Sequence, residues 1–290
     1  MSFLILGAQG YLGKALLSHF QSQGESVMGT QHQQPDQPGY LNLLNPDGLD
    51  ALPLESYRFG LICAAYPVIS KCEVQPEISH QINFQGPLAL SERLIKAGVI
   101  PVLFSSDYVF NGQNAPFSET SPLSPLNVYG RDKAELENVM ERRYPGQYLM
   151  LRLTKVFDLD PSSHTLLTEM VTALRQGKTL RLAQDQFFNP ILREDFISAL
   201  TLLLAKQQRG LWNIGGGETI SRYALGKTIA QVFEFSETLI EAIHLSDLAE
   251  KFHRPLNTSL ATHKLQKFLP EWQPLSLIEA VQRLRKSVKC

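Results

Sequence analysis

Apolar residues in the first 157 positions fall into two alternating patterns. Short continuous runs stop abruptly: SFLILG at 2–7, SVMGT at 26–30, FGLICAA at 59–65, IPVLFSS at 100–106 and YLMLRLTKVF at 148–157. FGLICAA is continuous rather than alternating, as suits a strand buried on both faces of a parallel sheet. Between them lie longer stretches whose apolar positions recur at helical spacing: YLGKALLSHFQSQG at 11–24, PEISHQINFQGPLALSERLIKAG at 76–98 and VYGRDKAELENVMERRY at 128–144. The first of these ends at Gly24, as a helix commonly does. A Pro- and Ser-rich loop, APFSETSPLSPLN, leads into the last. Strand and helix in alternation predict right-handed βαβ units and a parallel sheet covered on both sides.

Beyond residue 157 the rhythm loosens. HTLLTEMVTALRQG and REDFISALTLLLAK read as helices, and LWNIGGGETISRYALGKTIAQVF as strand, turn and helix. The pattern predicts a dinucleotide-type domain over 1–156 and a smaller domain over 157–290, with part of 185–206 packing back on the first. No internal repeat or low-complexity segment interrupts either half, and QHQQPDQPG is a short polar loop.

Composition narrows the function classes. The 290 residues are 43% hydrophobic and 19% charged, a globular balance, and the net charge is −1. No basic field points to nucleic acid or to anionic lipid. The longest apolar runs, SALTLLLA and VIPVLF, fall far short of the ~20 residues that span a bilayer. The opening MSFLILGAQG has neither the charged region nor the cleavage site of a signal peptide. Cys63, Cys72 and Cys290 are odd in number and irregularly spaced, so no disulfide framework or zinc site is expected. A cytoplasmic, reduced setting follows as the expectation.

Candidate chemistry begins at Gly7, Gly10 and Gly13, which form G-x-x-G-x-x-G between the first strand and the first helix. A tight turn there aims the positive end of a helix at a pyrophosphate, and glycines let the backbone approach it. The fold expected is therefore α/β: a Rossmann-like, doubly wound parallel sheet with a smaller α/β substrate domain. The second strand ends in Thr30, Gln31 and His32, while Asp36 lies further along the loop. NAD enzymes place an acid at that strand end to meet the ribose 2′-OH. Its absence favours NADP, with NAD as the alternative.

Two Tyr-x-x-x-Lys pairs occur, Tyr129 with Lys133 and Tyr223 with Lys227. Spacing does not separate them; context does. Tyr129 follows the strand ending in Ser105 and Ser106, where parallel sheets place ligands. Reduction of a ketone needs hydride on carbon and a proton on oxygen. A tyrosine beside an ammonium can supply that proton, since the cation lowers a phenol pKa that is normally near 10. Ser106 would hydrogen-bond the carbonyl oxygen. The later pair follows GGGETIS, where Ser221 reads as a helix N-cap, and is assigned to helix surface.

With those residues in view, the chain resembles the extended short-chain dehydrogenases/reductases, and within them the dTDP-4-dehydrorhamnose reductase family. The motifs are GAQGYLG, INFQGP, SSDYVFNG, YGRDKAELE, DQFFNP, NIGGGETIS and RPLNTSL. The resemblance implies catalysis by Ser106, Tyr129 and Lys133. It implies cofactor contacts at Gly7, Gln9, Gly10, Tyr11, Leu12 and Gly13, then at Thr30, Gln31, His32 and Asn42. Further contacts are expected at Cys63, Ala64, Ala65 and Ser105, and again at Tyr129 and Lys133. Substrate contacts are implied at Ser106, Asp107, Val109, Phe110, Lys155, Asn189 and Arg254. Asn83 would be a structural helper. A nucleotide sugar is the implied substrate, and paired helices in the superfamily often build a homodimer.

The chain departs from the family at several places. RLTKVF puts Lys155 where an aromatic is usual near the sugar. DQFFNPI carries Phe188 and Ile191 in place of Gly and Thr, and Asn42 stands where Asp commonly meets adenine. Two other readings stay open. One is an epimerase or dehydratase on the same scaffold, although Ser106-Asp107-Tyr108 lacks the Glu of a dehydratase. The other is a cofactor-binding regulatory protein without turnover, as the regulatory subunit of methionine adenosyltransferase is. Gly215 to Gly217 read as a turn, His19 and His80 as helix-surface or packing residues, and Cys63 as a small core residue.

Overall fold

The computed structural model describes residues 1–33, 39–43, 48, 52–248 and 252–288. Asp36 and Cys290 lie outside the described residues. The chain forms two compact units. The first comprises 1–109, 125–152 and 207–212; the second comprises 110–124, 153–206 and 213–290. The division therefore interleaves along the chain instead of falling at one cut near residue 156.

The first unit carries β1 (Ser2–Leu6), α1 (Tyr11–Ser22), β2 (Ser26–Gly29), β3 (Phe59–Ile62), α2 (Ile69–Val74), α3 (Pro76–His80), α4 (Gly86–Lys96), β4 (Ile100–Ser106), α5 (Val128–Arg143) and β5 (Leu149–Leu153). A parallel sheet of six strands runs in the order β10, β5, β4, β3, β1, β2, where β10 is Gly210–Ile214. β1 pairs in parallel with β2 and β3, and β3 with β4, with Leu4 beside Met28 and Gly60 and Leu61 beside Val102. β1 is continuously apolar because both its faces are covered: Phe3 to Leu6 are fully buried. Around them pack Leu90 and Leu94 of α4, and Leu136 and Met140 of α5.

Two expected elements are broken, each for a local reason. The long helix predicted over 76–98 is split into α3 and α4 by a π-helical turn at Gln81–Gln85. Pro87 sits in the first turn of α4 and has no N–H to donate backward, so the wider turn absorbs the lost bond. The strand predicted over 148–157 stops at Leu153. Val156 and Phe157 form a separate strand, β6, which pairs in parallel with Ile191 and Leu192 of β9. The run LWNI, assigned from sequence to the later half, supplies the sheet's sixth strand.

The second unit holds β6 (Val156–Phe157), α6 (Leu166–Arg175), β7 (Leu180–Ala183), β8 (Phe187–Phe188), β9 (Ile191–Leu192), α7 (Arg193–Ala205), β11 (Ile220–Ser221), α8 (Arg222–Phe233), β12 (Ile240–Ile243), α9 (His263–Phe268) and α10 (Leu277–Val288). Its core gathers Leu167 and Met170 of α6, Leu225 and Ile229 of α8, and Val281 and Leu284 of α10. α8 starts at Ser221, whose hydroxyl accepts from the Ala224 amide at 3.1 Å, the N-cap expected from the sequence. Among the described residues no helix is long and apolar enough to cross a membrane.

Leu94 is fully buried and packs its methyls against the Cα face of Gly60 on β3. Leu94→Ala is expected to cost about 2–5 kcal/mol of unfolding free energy, the range for a leucine deleted from a close-packed interior. Urea denaturation of the two proteins side by side measures it.

Candidate functional site

The glycine turn owes its shape to contacts that exclude a side chain. Gly7 has φ of +90°, and a Cβ there would lie 2.7 Å from the Ala64 Cβ. A Cβ on Gly13 would lie 2.2 Å from the Gly7 carbonyl oxygen. The start of α1 is thereby pulled onto the end of β1. Thr30, fully buried at the end of β2, braces the turn: its hydroxyl accepts from the Gly7 amide at 3.0 Å and its carbonyl from the Ala8 amide at 3.0 Å. Gly10 is the N-cap of α1 and offers no side-chain cap, so no side-chain oxygen blocks the positive end of the helix.

These residues fit a dinucleotide, because the turn presents backbone and helix terminus where two phosphates require them. Gln9, Gly10 and Tyr11 are exposed at this turn and Leu12 is half-buried. Past β3, Cys63 and Ala64 are half-buried and Ala65 is exposed. Burial pushes the Cys63 thiol well above its usual range, which suits a small packing residue and not a nucleophile. Gln31 and His32 follow Thr30 on the outer side. The Gln31 amide donates to the Gly39 carbonyl at 2.9 Å, and His32 is exposed. Asn42 is half-buried.

The Tyr–Lys pair sits on α5, which is anchored with care. Asn127 caps it, accepting from the Gly130 amide at 2.8 Å, and Glu73 of α2 accepts from the Val128 amide at 2.7 Å. Tyr129 therefore stands in the first turn, with Lys133 one turn on and its Nζ 5.9 Å from the Tyr129 ring centre. At the end of β4 the Ser106 hydroxyl donates to Asp107 Oδ1 at 3.0 Å and accepts from the Tyr108 amide at 3.2 Å. The Ser106 hydroxyl also acts on the Tyr129 phenol, favouring its ionised form. Ser106, Tyr129 and Lys133 thus come together from two elements.

Electrostatics here run partly against expectation. Burial pushes the Tyr129 phenol above its usual range, the Asp107 carboxylate adds to the rise, and the Ser106 hydrogen bond opposes it. The phenol is held up, opposite to the direction expected from an adjacent ammonium. Tyr129 keeps part of its surface exposed, so water there weakens the burial effect. Lys133 is 4% exposed, and burial lowers its ammonium to about 8, against the opposing pull of Asp132, Glu137 and Cys72. Its Nζ donates to the Phe104 carbonyl at 3.0 Å.

Asn83, the expected structural helper, is fully buried. It accepts from the Tyr66 amide at 2.8 Å and donates to the Tyr66 carbonyl at 3.0 Å and to Ser79 Oγ at 3.1 Å. Ser79 in turn donates to Asp132 at 2.5 Å, and His80 Nδ1 lies 3.2 Å from the same carboxylate. The segment after β3 is so tied to the helix that carries Lys133. Sequence reading missed this chain of contacts, along with Glu73 and Glu137. Its one signal was Arg152, a charge inside the apolar strand LMLRL, which demands a buried partner.

The remaining expected residues are placed as follows. Asp107 and Val109 are buried in the first unit. In the second unit Phe110 is fully buried and stacks on Phe117 at 4.2 Å, Lys155 is exposed, and Arg254 lies 5.2 Å from the Phe252 ring centre. Asn189 is buried; its amide nitrogen donates to the Gly216 and Leu260 carbonyls at 3.2 and 3.0 Å, and its oxygen accepts from the Leu260 amide at 3.0 Å. The glycine triplet forms a turn in which the Gly216 amide donates to the Asn189 carbonyl at 3.0 Å. The second pair is surface chemistry, with Lys227 ion-paired to Glu237. Among the described residues no cluster of three or more His, Cys, Asp or Glu is set to hold a metal.

A six-stranded parallel sheet with a glycine turn after its first strand is the fold of the extended short-chain dehydrogenases/reductases. The model of the RmlD substrate binding domain family matches residues 1–286, and the chain belongs to that family. It is 27% identical over 276 residues to methionine adenosyltransferase 2 subunit beta of Xenopus tropicalis, covering 91% of this chain and 81% of that one. It is 26% identical over 284 residues to the probable low-salt glycan biosynthesis reductase Agl14 of Haloferax volcanii, covering 94% of both. Among solved structures it resembles dTDP-4-dehydrorhamnose reductase of Bacillus anthracis in complex with NADP. There the TM-score is 0.87 at 18% identity, over 99% of this chain and 100% of that one.

The buried ammonium sets a stability signature. Folded Lys133 loses its proton near 8 and an unfolded lysine near 10.5, so between those values the unfolded chain binds more protons and stability rises with pH. Below about 8 the full burial penalty is present. Lys133→Met removes it and is expected to be more stable than wild type at pH 7, by up to about 3 kcal/mol less the lost hydrogen bond. The gap should narrow toward pH 10. Thermal unfolding of both proteins across that range tests the sign, and parallel curves would refute it.

Proposed function

We propose that this protein is an NADP(H)-dependent oxidoreductase that reduces the 4-keto group of a nucleotide-activated deoxysugar. The observation that carries the reading is the meeting of Ser106, Tyr129 and Lys133 at the end of β4 and the start of α5, on the sheet whose first turn is built of Gly7, Gly10 and Gly13. A dinucleotide held by that turn and by the segment from Cys63 to Ala65 would supply hydride to the carbonyl carbon. The choice of NADP rests on Thr30, Gln31 and His32, which offer no carboxylate to repel a 2′-phosphate. The Bacillus anthracis neighbour is a complex with NADP, which agrees.

The chain's own groups handle the oxygen. Ser106 donates a hydrogen bond to the carbonyl and polarises it. Tyr129 gives its proton to the oxygen as negative charge develops there. A phenol held high by burial stays protonated at neutral pH, the state an acid requires. Lys133, charged below about 8, stabilises the tyrosinate left behind and holds the nicotinamide ribose. In the resting site the serine proton points to Asp107 Oδ1, so the hydroxyl turns from that carboxylate to the carbonyl when substrate binds. On the sugar side Lys155 and Arg254 remain the proposed side-chain contacts, while Val109, Phe110 and Asn189 are buried and would act only through the backbone they hold.

A second reading is a dinucleotide-binding regulatory subunit, favoured by the likeness to methionine adenosyltransferase 2 subunit beta. Dehydration is disfavoured because Ser106-Asp107-Tyr108 carries no Glu.

Oxidation of NADPH, and separately of NADH, by a panel of 4-keto-6-deoxy nucleotide sugars tests the proposal. Wild type should turn over with NADPH, and Tyr129→Phe should lose at least about 100-fold in kcat, the scale of one general acid. NADPH binding by fluorescence should survive in the variant. Tight NADPH binding by both proteins with no turnover in either would overturn the reductase reading in favour of the regulatory one.

A further inference from the structure

Arg152 is 2% exposed in the middle of β5. A guanidinium so placed needs a full partner, and Glu137 of α5, 5% exposed, provides it. Arg152 Nε donates to Glu137 Oε1 at 2.9 Å and Oε2 at 3.1 Å, and Nη2 donates to Oε2 at 2.6 Å. The same carboxylate accepts from the Ser105 hydroxyl. Glu137 is four residues beyond Lys133, one turn along the same face of the helix. Lys133 holds the Phe104 carbonyl while Glu137 holds the Ser105 side chain. Two side chains a turn apart therefore grip two successive residues of β4, and the next residue is Ser106.

Burying two charges costs more solvation than the pair commonly returns, and apolar residues of like volume often replace such a pair without loss. Stability alone therefore gives little reason for this pair. We infer that Glu137, locked by Arg152 and Ser105, is a positioning residue: it fixes α5 in register with β4 and brings its negative charge to the face of the helix that carries Lys133. The inference rests on reading Ser106, Tyr129 and Lys133 as the reductase site.

Lys133 is faced from every packed element. Asp132 and Glu137 flank it on α5, Cys72 approaches from α2, and Tyr129 lies across its Nζ. Asp107 and Tyr108 follow β4 and act on Tyr129, Glu73 caps the helix start, and His80 of α3 is bonded to Asp132. Arg152 on β5 is the cation that opposes them. Removing the Glu137 charge leaves burial less opposed, so the ammonium gives up its proton at a lower pH. Since reduction uses the charged lysine, the alkaline fall in rate moves toward acid.

The test follows Lys133 directly. Protein labelled with 13C at lysine Cε is titrated by NMR as wild type and as Glu137→Gln, with Lys133→Met assigning the resonance. Wild type should titrate near 8, and the Gln variant at a lower pH. With NADPH and a 4-keto nucleotide sugar, kcat should fall about 10–100-fold, KM should change less than about threefold, and the alkaline limb should shift with the resonance. The double variant Glu137→Leu with Arg152→Met, which removes the opposing cation as well, should keep thermal stability and move the midpoint less than the Gln variant, yet leave kcat low because the joint to β4 is lost. An unchanged Lys133 midpoint in the Gln variant, or full kcat in the double variant, would overturn the inference and leave the pair purely structural. Where the Gln variant does not fold, kcat of the double variant carries the test. Absence of turnover in wild type sinks the reductase reading, while the substrate-free titration still decides the role of Glu137.

Discussion

The arrangement depends on one constraint: α5 must lie in fixed register along β4. Tyr129 and Lys133 belong to the helix and Ser106 to the strand, so no single element holds the three. The register is set by contacts at successive heights. Glu73 and Asn127 fix the first turn, Lys133 meets the Phe104 carbonyl, and Glu137 meets Ser105 and Arg152. Apolar packing of Leu136 and Met140 supplies adhesion but slides easily, because it is not directional. Hydrogen bonds do not slide. The polar residues buried along α5 are the directional part of the joint.

A second line of contacts ties the same helix to the segment after β3. From Asp132 it runs through Ser79 to Asn83 and on to both backbone groups of Tyr66. Asn83 lies within the π-helical turn at Gln81–Gln85. Such turns redirect a side chain without ending the helix, and often occur at functional sites. Pro87 explains why the turn is tolerated, and Asn83 gives it a use. The residue that breaks the expected helix and the residue that orders the site are four positions apart.

What was legible in the sequence was local. Each strand of the first unit was marked by its own apolar run, and the glycine turn by its spacing. The Ser221 cap, too, lies beside the amide it serves. What was not legible depended on partners distant in the chain. Ser105 and Glu137 are 32 positions apart, and Ser79 and Asp132 are 53 apart. Nothing in YGRDKAELE distinguishes the buried Glu137 from the exposed Glu135, since both are acids on a helix with a polar face. The end of β5 failed for a related reason. RLTKVF is a good strand former throughout, and only the pairing of Val156 and Phe157 with Ile191 and Leu192 divides it. β propensity reports fit to a pleated surface, not which surface.

The electrostatic balance around the pair works against charge on either group. Burial disfavours charge on both Tyr129 and Lys133, raising the phenol and lowering the ammonium. A neutral phenol beside a marginal cation is poised to give a proton to an oxygen that is becoming an alkoxide, a far stronger base than a ketone. The tyrosinate so formed raises the lysine in turn, because opposite charges in a poorly solvated place strengthen one another. Charge on Tyr129 is then favoured only beside a charged Lys133. The same desolvation that makes the resting pair reluctant to ionise makes the proton gift and the cation's response a single coupled event.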